Sequence, residues 1–417
     1  GLETWGITPE LTYKAGGDWQ LRATAHYGQS DNYQQFSTVN TSLAQCYITG
    51  CTAAASPTGA AITAGQLNPL NVAAASAAVI TDINDFASAQ QSKQNMFVTR
   101  LVADGPIFQL PGGEAKVAVG VEYQRNQAES RLNTGRFGSI NALPYLDYSR
   151  NSKSAFGELS LPVMEWVDLS ASLRIDDYSD FGSTTNPQVS MKWRPLDNFT
   201  VRASYGQGFR APSLAQIGLG PSQESVFFTD TFRCPTPDAS NPACAATDYT
   251  IVFVGGGDLE PEESETFNVG FVWQVTDQFD ISADVWSITQ DNKIDQNDYE
   301  NVYAAECNRQ NSTICVRLAP LPGQTLGELS RLFNSYINIS SQEATGVDLS
   351  TAYRMDMQQY GALRLSLDYS YTHKFEKNNI DYAGEYNYPQ HRWLATADWS
   401  FGEWGLVTSL NYVGAFE

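Results

Sequence analysis

The chain has 417 residues, with 25 Lys+Arg against 46 Asp+Glu and a formal net charge of −21. That acidity argues against a nucleic-acid partner, which needs a basic face, and the 42% hydrophobic and 12% aromatic content argues against a disordered acidic chain. Only 17% of residues are charged, against roughly 25% in soluble globular chains, and no run reaches the roughly 18 apolar residues of a membrane-spanning helix.

Apolar–polar alternation predicts strands along most of the chain. Segments near 4–15 and 19–34 flank the turn Gly16-Gly17-Asp18, and segments near 91–109 and 115–131 flank Leu110-Pro111-Gly112-Gly113. Those near 150–165 and 167–178 flank Glu165-Trp166; there Val167, Leu169, Ala171, Leu173 and Ile175 alternate with Asp168, Ser170, Ser172, Arg174 and Asp176. Further pairs lie near 185–195 and 199–211, 263–275 and 279–292, 339–356 and 361–375, and 390–401 and 404–415, each joined by a short turn. Successive side chains of a strand point to opposite faces, so each segment has one apolar and one polar face. The expected class is all-β, with about 14 strands, many long enough for the about 9–11 tilted residues that cross a bilayer.

The connections alternate in length. Long segments fall near 35–90, 132–149, 212–262 and 293–338, with shorter ones near 179–184 and 376–389. Short turns at one end and long loops at the other mark an antiparallel transmembrane β-barrel. A soluble sandwich or propeller would not segregate turn lengths in this way. A barrel of about 14 strands is too wide to fill with side chains. Its polar face must then line a lumen and its apolar face must meet lipid.

The six cysteines form three local pairs in the long loops: Cys46/Cys51, Cys234/Cys244 and Cys307/Cys315. Six cysteines allow 15 connectivities, of which local pairing is the simplest. A zinc site needs Cys-x2–4-Cys spacing and usually His partners, whereas His26, His373 and His391 lie on or beside strands, so no metal site is expected. Disulfides formed in an oxidising compartment are. Trp5, Trp19, Trp166, Trp193, Trp273, Trp393, Trp399 and Trp404 are placed near the short-turn ends, as an interfacial girdle. Charge belongs on the lumen face and the loops, with Glu122, Arg174, Arg202 and Arg364 facing the lumen. The acidic stretches 295–300 and 258–265 match no cation-binding loop and read as solvated faces.

Several stretches resemble the TonB-dependent outer-membrane receptors. Arg202-Ala-Ser-Tyr-Gly-Gln-Gly-Phe-Arg-Ala-Pro-Ser213 is similar to the family's strand ending in Phe-Arg-Ala-Pro. It is followed by Gly257-Asp-Leu-Glu-Pro-Glu-Glu-Ser264, Phe279-Asp-Ile-Ser-Ala-Asp-Val-Trp-Ser-Ile288 and Glu343-Ala-Thr-Gly-Val-Asp348, and preceded by Arg174-Ile-Asp-Asp-Tyr-Ser-Asp-Phe-Gly182. The resemblance implies a 22-stranded barrel in the outer membrane of a Gram-negative bacterium, filled by an N-terminal plug that TonB engages. No plug-like sequence is recognisable here. Strand parity fits positions 6 to 19 of 22, so residues 1–417 are expected to be a barrel fragment. A complete 14-stranded passive channel, like the fatty-acid channels, is the alternative; it predicts direct pairing of 4–15 with 404–415.

By the same resemblance the expected function is TonB-dependent uptake of a scarce ligand: a siderophore, cobalamin, haem or an oligosaccharide-like nutrient. The partners are TonB, outer-membrane lipid and lipopolysaccharide, and the small-molecule ligand. No cofactor and no catalytic residue is expected, because the three histidines lie on distant segments with no nucleophile elbow beside them. Loop aromatics supply apolar contact with a polar handle, so Phe227, Phe228, Phe232, Tyr249, Phe253, Tyr299 and Tyr303 are the candidate ligand contacts.

Overall fold

The computed structural model describes residues 1–417 except 54–59, 136–142, 219–221, 237–243, 321–323 and 416–417. Nineteen strands are present among the described residues. The first predicted strand is split into β1 (Leu2–Ile7) and β2 (Glu10–Lys14) by Pro9, which has no N–H to give to the ladder. The wall continues through β3 (Gln20–Ser37), β4 (Ala87–Leu110), β5 (Gly113–Gly135), β6 (Leu143–Met164), β7 (Val167–Tyr178), β8 (Gly182–Leu196) and β9 (Phe199–Arg210). Two short strands, β10 (Ser222–Phe228) and β11 (Thr247–Val254), precede β12 (Glu262–Gln274) and β13 (Phe279–Gln296). After β14 (Cys315–Arg317) come β15 (Leu329–Asp356), β16 (Ala362–Lys377), β17 (Ile380–Asp381), β18 (His391–Phe401) and β19 (Trp404–Val413). The five segments beyond the predicted fourteen are thus the Pro9 split and four short loop strands. The predicted loop 132–149 is shorter than expected, since β5 and β6 extend into it; the remainder lies outside the described residues.

Each wall strand pairs antiparallel with the next, and β9 pairs with β12 and β13 with β15 across the long loops. Register explains the alternation. One row across β4 to β7 reads Leu101, Val121, Ala155, Ile175; the adjacent row reads Arg100, Glu122, Ser154, Asp176. Leu101, Val121 and Ile175 are exposed, whereas Glu122, Ser154 and Asp176 are buried. A water-soluble sheet does the reverse. Exposed aliphatics over polar interior rows are what a lipid-facing barrel wall requires. Among the described residues no ladder joins β19 to β1 or β2; β19 pairs with β18, and β1 and β2 with β3.

Six of the eight tryptophans named above lie at the short-turn side. Trp5 and Trp393 do not: Trp5 stands opposite Gln29, far from the Gly16-Gly17-Asp18 turn, and Trp393 lies two residues into β18, next to a long connection. Aromatics therefore mark both ends of the wall.

Helices occupy the loops that alternation could not read. In the first loop, α1 (Thr41–Thr49) and α2 (Ala77–Asn84) are capped by Asn40 and Ser76, whose side chains accept from the amides of Leu43 and Val79. Leu43, Leu67, Val79 and Ile83 form its small core. Within the wall, Gly346 is opposite Trp286, and a Cβ there would lie 2.4 Å from Trp286 Cζ2 and 2.5 Å from the Tyr371 carbonyl oxygen. The glycine of one motif thus receives the tryptophan of another. Gly346→Val should destabilise the wall by about 1–3 kcal/mol. A lower temperature for loss of the fast-migrating folded band on a semi-native gel checks this.

Candidate functional site

The polar face carries a connected chain of charges. Glu122 accepts from Arg100 Nε at 2.6 Å and from Arg174 Nη2 at 2.9 Å; Arg174 Nε donates to Asp176 Oδ1 at 2.9 Å, which also accepts from Ser154 Oγ at 2.6 Å. On the opposite part of the sheet Arg202 Nε donates to Asp284 Oδ1 at 2.8 Å. Arg100 and Glu122 face each other on adjacent strands, Arg174 reaches Glu122 across β6 and Asp176 along its own strand, and Arg202 reaches Asp284 across Gly270 of β12, so each carboxylate is neutralised by a guanidinium. Arg364 also lies on the polar face but near the 357–361 turn, exposed, opposite Arg354 and Asp398.

The long-loop rim is built by motif residues acting together. Arg150 Nε donates to Asp180 Oδ2 at 2.7 Å, and its Nη2 donates to the Pro212 carbonyl at 2.7 Å. Its guanidinium carbon lies 5.6 Å from the Tyr178 ring centroid and 5.3 Å from that of Phe181. Arg210, in the Phe-Arg-Ala-Pro stretch, donates through Nε to Glu262 Oε2 at 2.7 Å; Glu262 also accepts from Gln290 Nε2 and the Ile294 amide, both at 2.8 Å. The turn after β9 is thereby held from both sides. It continues into α3 (Leu214–Gly218), where Ser213 and Gln216 cap each other reciprocally.

Next to α3, the upper half of the β1–β5 wall contains a recess of about 920 Å³. Thr4, Ser30, Gln94, Asn126 and Ser130 line it from the wall, and Ser213 and Leu214 close one side. Among the described residues, no Asp, Glu, Lys or Arg lines it. The arrangement offers amide and hydroxyl hydrogen bonds to a ligand of several hundred Å³ without asking for a charge. Among the described residues no group of three or more His, Cys, Asp and Glu is placed to hold a metal ion.

The second and third disulfide loops, read from sequence as separate, fold as one cap. β10 and β11 form a hairpin; β11 then pairs in parallel with the start of β15, and β14 covers the other side of that strand. The helix α4 (Tyr299–Glu306) closes the layer. All three expected disulfides are present: Cys46–Cys51, Cys234–Cys244 and Cys307–Cys315. The predicted ligand aromatics are mostly used here for packing. Tyr249 is 3% and Tyr303 9% exposed, in a core with Ile251, Leu329 and Leu332. Phe228, Phe232, Phe253 and Tyr299 pack against that core, and Phe228 lies 4.5 Å from Tyr249 and 5.1 Å from Tyr303. Tyr249 and Tyr303 are thus core residues of the cap in this structure. Phe227, adjacent in the strand and pointing the other way, is 69% exposed.

The cap closes on a fully buried pair, Arg317 and Asp230. All five guanidinium N–H groups are used: two reach Asp230, two the Cys307 carbonyl and one the Gly327 carbonyl, at 2.6–3.1 Å. Tyr303 donates to Asp230 Oδ1 at 2.7 Å. Burial alone would raise the Asp230 carboxyl, but the Arg317 and Tyr303 hydrogen bonds outweigh it and hold the group below the usual carboxylate range. Burial and the neighbouring carboxylate push Tyr303 up. Neither Asp230 nor Arg317 was legible in sequence: they are 87 residues apart, and neither lies in an alternating run.

Comparison with known proteins places this architecture. The vitamin B12 transporter BtuB of Vibrio cholerae serotype O1 is 36% identical over 70 residues, which is 17% of this chain and 11% of that protein. A protein of Acinetobacter baumannii named "Probable TonB-dependent siderophore receptor PirA" is 28% identical over 121 residues, 29% of this chain and 14% of its own. The matched stretches are thus a small part of those relatives' length. The ferripyoverdine receptor of Pseudomonas aeruginosa, solved with ferripyoverdine, superposes with a TM-score of 0.55 at 12% identity over 99% of this chain and 46% of that one, a likeness of fold. The family model described as TonB dependent receptor-like, beta-barrel matches residues 2–416, and the chain belongs to that family.

Proposed function

We propose that the chain forms wall and loops of an outer-membrane transporter that takes up a scarce nutrient with energy delivered through TonB. The family match over 2–416 carries this reading. The ligand is of the siderophore, cobalamin, haem or oligosaccharide-like class, and the outer membrane of a Gram-negative bacterium is the site of action. The polar face lines the lumen, with Glu122, Arg174, Arg202 and Arg364 on it, and a plug outside residues 1–417 engages TonB. The wall is part of a larger barrel of 22 strands; the separate edges β1–β2 and β19 support this over a closed passive channel. Ligand contact is assigned to the uncharged recess beside α3 and to Phe227 on the cap.

Uptake by cells carrying the whole gene, compared with a deletion strain, tests the proposal. Accumulation of the ligand should collapse on dissipating the proton gradient or deleting tonB. Unchanged accumulation in either case would show a passive channel.

A further inference from the structure

At one joint of the wall the ladder is incomplete. β8 is paired with β7 over twelve positions, Gly182 to Trp193, and β9 with β12 over twelve, Phe199 to Arg210. Between β8 and β9 the continuous ladder covers only six, from Gln188 opposite Gly206 to Trp193 opposite Val201. Above that first rung Gly182–Pro187 and Gln207–Arg210 face each other without a ladder pair. Pro187, which has no N–H to give, stands where the pairing stops. The gap is closed again at the top. The Phe209 ring meets Tyr178 edge-on, with centroids 5.7 Å apart, and Arg150 ties Asp180 to the Pro212 carbonyl.

What remains is a framed opening of about 220 Å³. Its lining comes from both faces of the wall. Thr184 and Asn186 stand opposite Asp176 and Arg174 on the polar face, and Ser183 and Thr185 stand opposite Asp177 and Ile175 on the outward face. Gln207 and Gly208 form the other side. All of these except Gly208 carry a hydroxyl or an amide. Leu173 and Ile175, each 45% exposed and opposite Pro187 and Thr185, put the lower half of the opening at the height of the lipid-facing band. Hydrocarbon does not tolerate unpaired backbone groups, so the facing strand edges need water, and the cavity has room for several molecules of it. Among the described residues no Lys or Arg lines the opening, whereas Glu263, Glu265 and Asp291 do.

We propose that the β8–β9 joint is a hydrated side port through the wall, which exchanges water and small neutral or cationic solutes between the lumen and the outward face. The Gln188–Gly206 rung below and the Arg150 strap above fix its size. Pro212, in the upper frame, also leads into the segment that closes the uncharged recess, so water displaced there by a ligand has a lateral exit. The proposal goes beyond the transport reading and needs only the membrane-barrel fold, so failure of the uptake test leaves it standing.

Thiol labelling of the whole protein in lipid nanodiscs tests it, with a membrane-impermeant quaternary-ammonium thiosulfonate as probe. Thr185 and Ile175 are register partners on the outward face, so a sealed wall would present both to lipid. Thr185→Cys should react at least about tenfold faster than Ile175→Cys, because the port brings water to it. A Cβ at Gly208 would meet only Ser264 Oγ, at 3.1 Å, so Gly208→Phe can fill the port from the polar face. Added to Thr185→Cys, it should bring the rate down to that of Ile175→Cys. A sulfonate thiosulfonate, corrected for its rate with free thiol, should label Thr185→Cys several-fold more slowly than the cationic probe. Equal, slow labelling of the two single variants overturns the proposal, and this comparison needs no Gly208 variant to fold. Undiminished labelling in a folded Gly208→Phe overturns it as well, since water then reaches Thr185 from outside the wall. A sulfonate rate equal to the cationic one overturns the charge preference.

Discussion

Replacing Arg317 by Met should open the cap while leaving the wall folded. The substitution removes the cation paired with Asp230 and leaves a carboxylate with no exposed surface beside a buried tyrosine. Breaking a buried pair from one side costs about 3–5 kcal/mol, on the order of a hundredfold or more in the population of open cap. The wall should not respond, because its strands are held by their own ladders. Limited chymotrypsin digestion in detergent measures the effect, since the cap core is rich in Phe and Tyr. The variant should be cut rapidly within the cap, with unchanged heat-modifiable migration of the remainder. Adding Asp230→Asn should recover part of the loss, because a neutral amide is cheaper to bury than a charge. The same pair sets an acid limit. Asp230 is held below its unfolded value, so its contribution is complete above the ordinary carboxylate range and is lost as pH falls through the folded value. In pepsin digestion the wild-type cap should lose protection as pH falls below the ordinary carboxylate range, and the Asp230→Asn variant should lack that acid phase. Equal digestion of wild type and Arg317→Met would sink the buried-pair account.

The contrast between wall and cap shows what a sequence carries. Val117 to Tyr123 and Leu169 to Ile175 could be read because a strand's side-chain period is two and lipid imposes one chemistry on every outward position. All fourteen wall segments follow from that rule, with the Pro9 break as its local exception. The cap obeys no such rule. Its parallel pairing of Thr250–Val254 with Arg331–Ser335 joins residues about eighty apart, and the partners are chosen by packing around Leu332 and Ile251. Aromatics there resemble binding residues in composition, yet only burial tells Phe227 from Tyr249. The recess beside α3 was illegible for another reason. Its polar lining is mostly Ser, Gln and Asn, residue types that also suit any solvated strand face. Arg210 and Glu262 were visible inside resembling motifs, but their pairing appears only when β9 and β12 lie side by side.

Arg150 is the position where wall construction and ligand contact should respond together. Its guanidinium ties Asp180, in the turn after β7, to the Pro212 carbonyl just before α3, and both partners of the ion pair are nearly buried. Among the described residues Asp180 Oδ1 is buried without a hydrogen-bond partner, so the carboxylate is held through Oδ2 by this arginine. Arg150→Ala strands the carboxylate, frees the Pro212 carbonyl and removes the cation packed on Tyr178 and Phe181. About 3–5 kcal/mol of local stability should be lost. The consequence for the recess follows from geometry: Ser213, Leu214 and Ala215, which close one side, begin at the residue after Pro212. Hydrogen exchange should therefore rise at 212–218 and stay unchanged at β18 and β19. Ligand affinity in the whole protein should fall at least several-fold. Arg150→Lys should restore the ion pair only in part, because an ammonium cannot reproduce the planar fork that reaches Asp180 Oδ2 and the Pro212 carbonyl together. If exchange at 212–218 in Arg150→Ala matches wild type, the α3 segment is held by its Ser213–Gln216 cap and the Gly256 amide to Gln216 carbonyl bond instead, and the recess does not depend on Arg150.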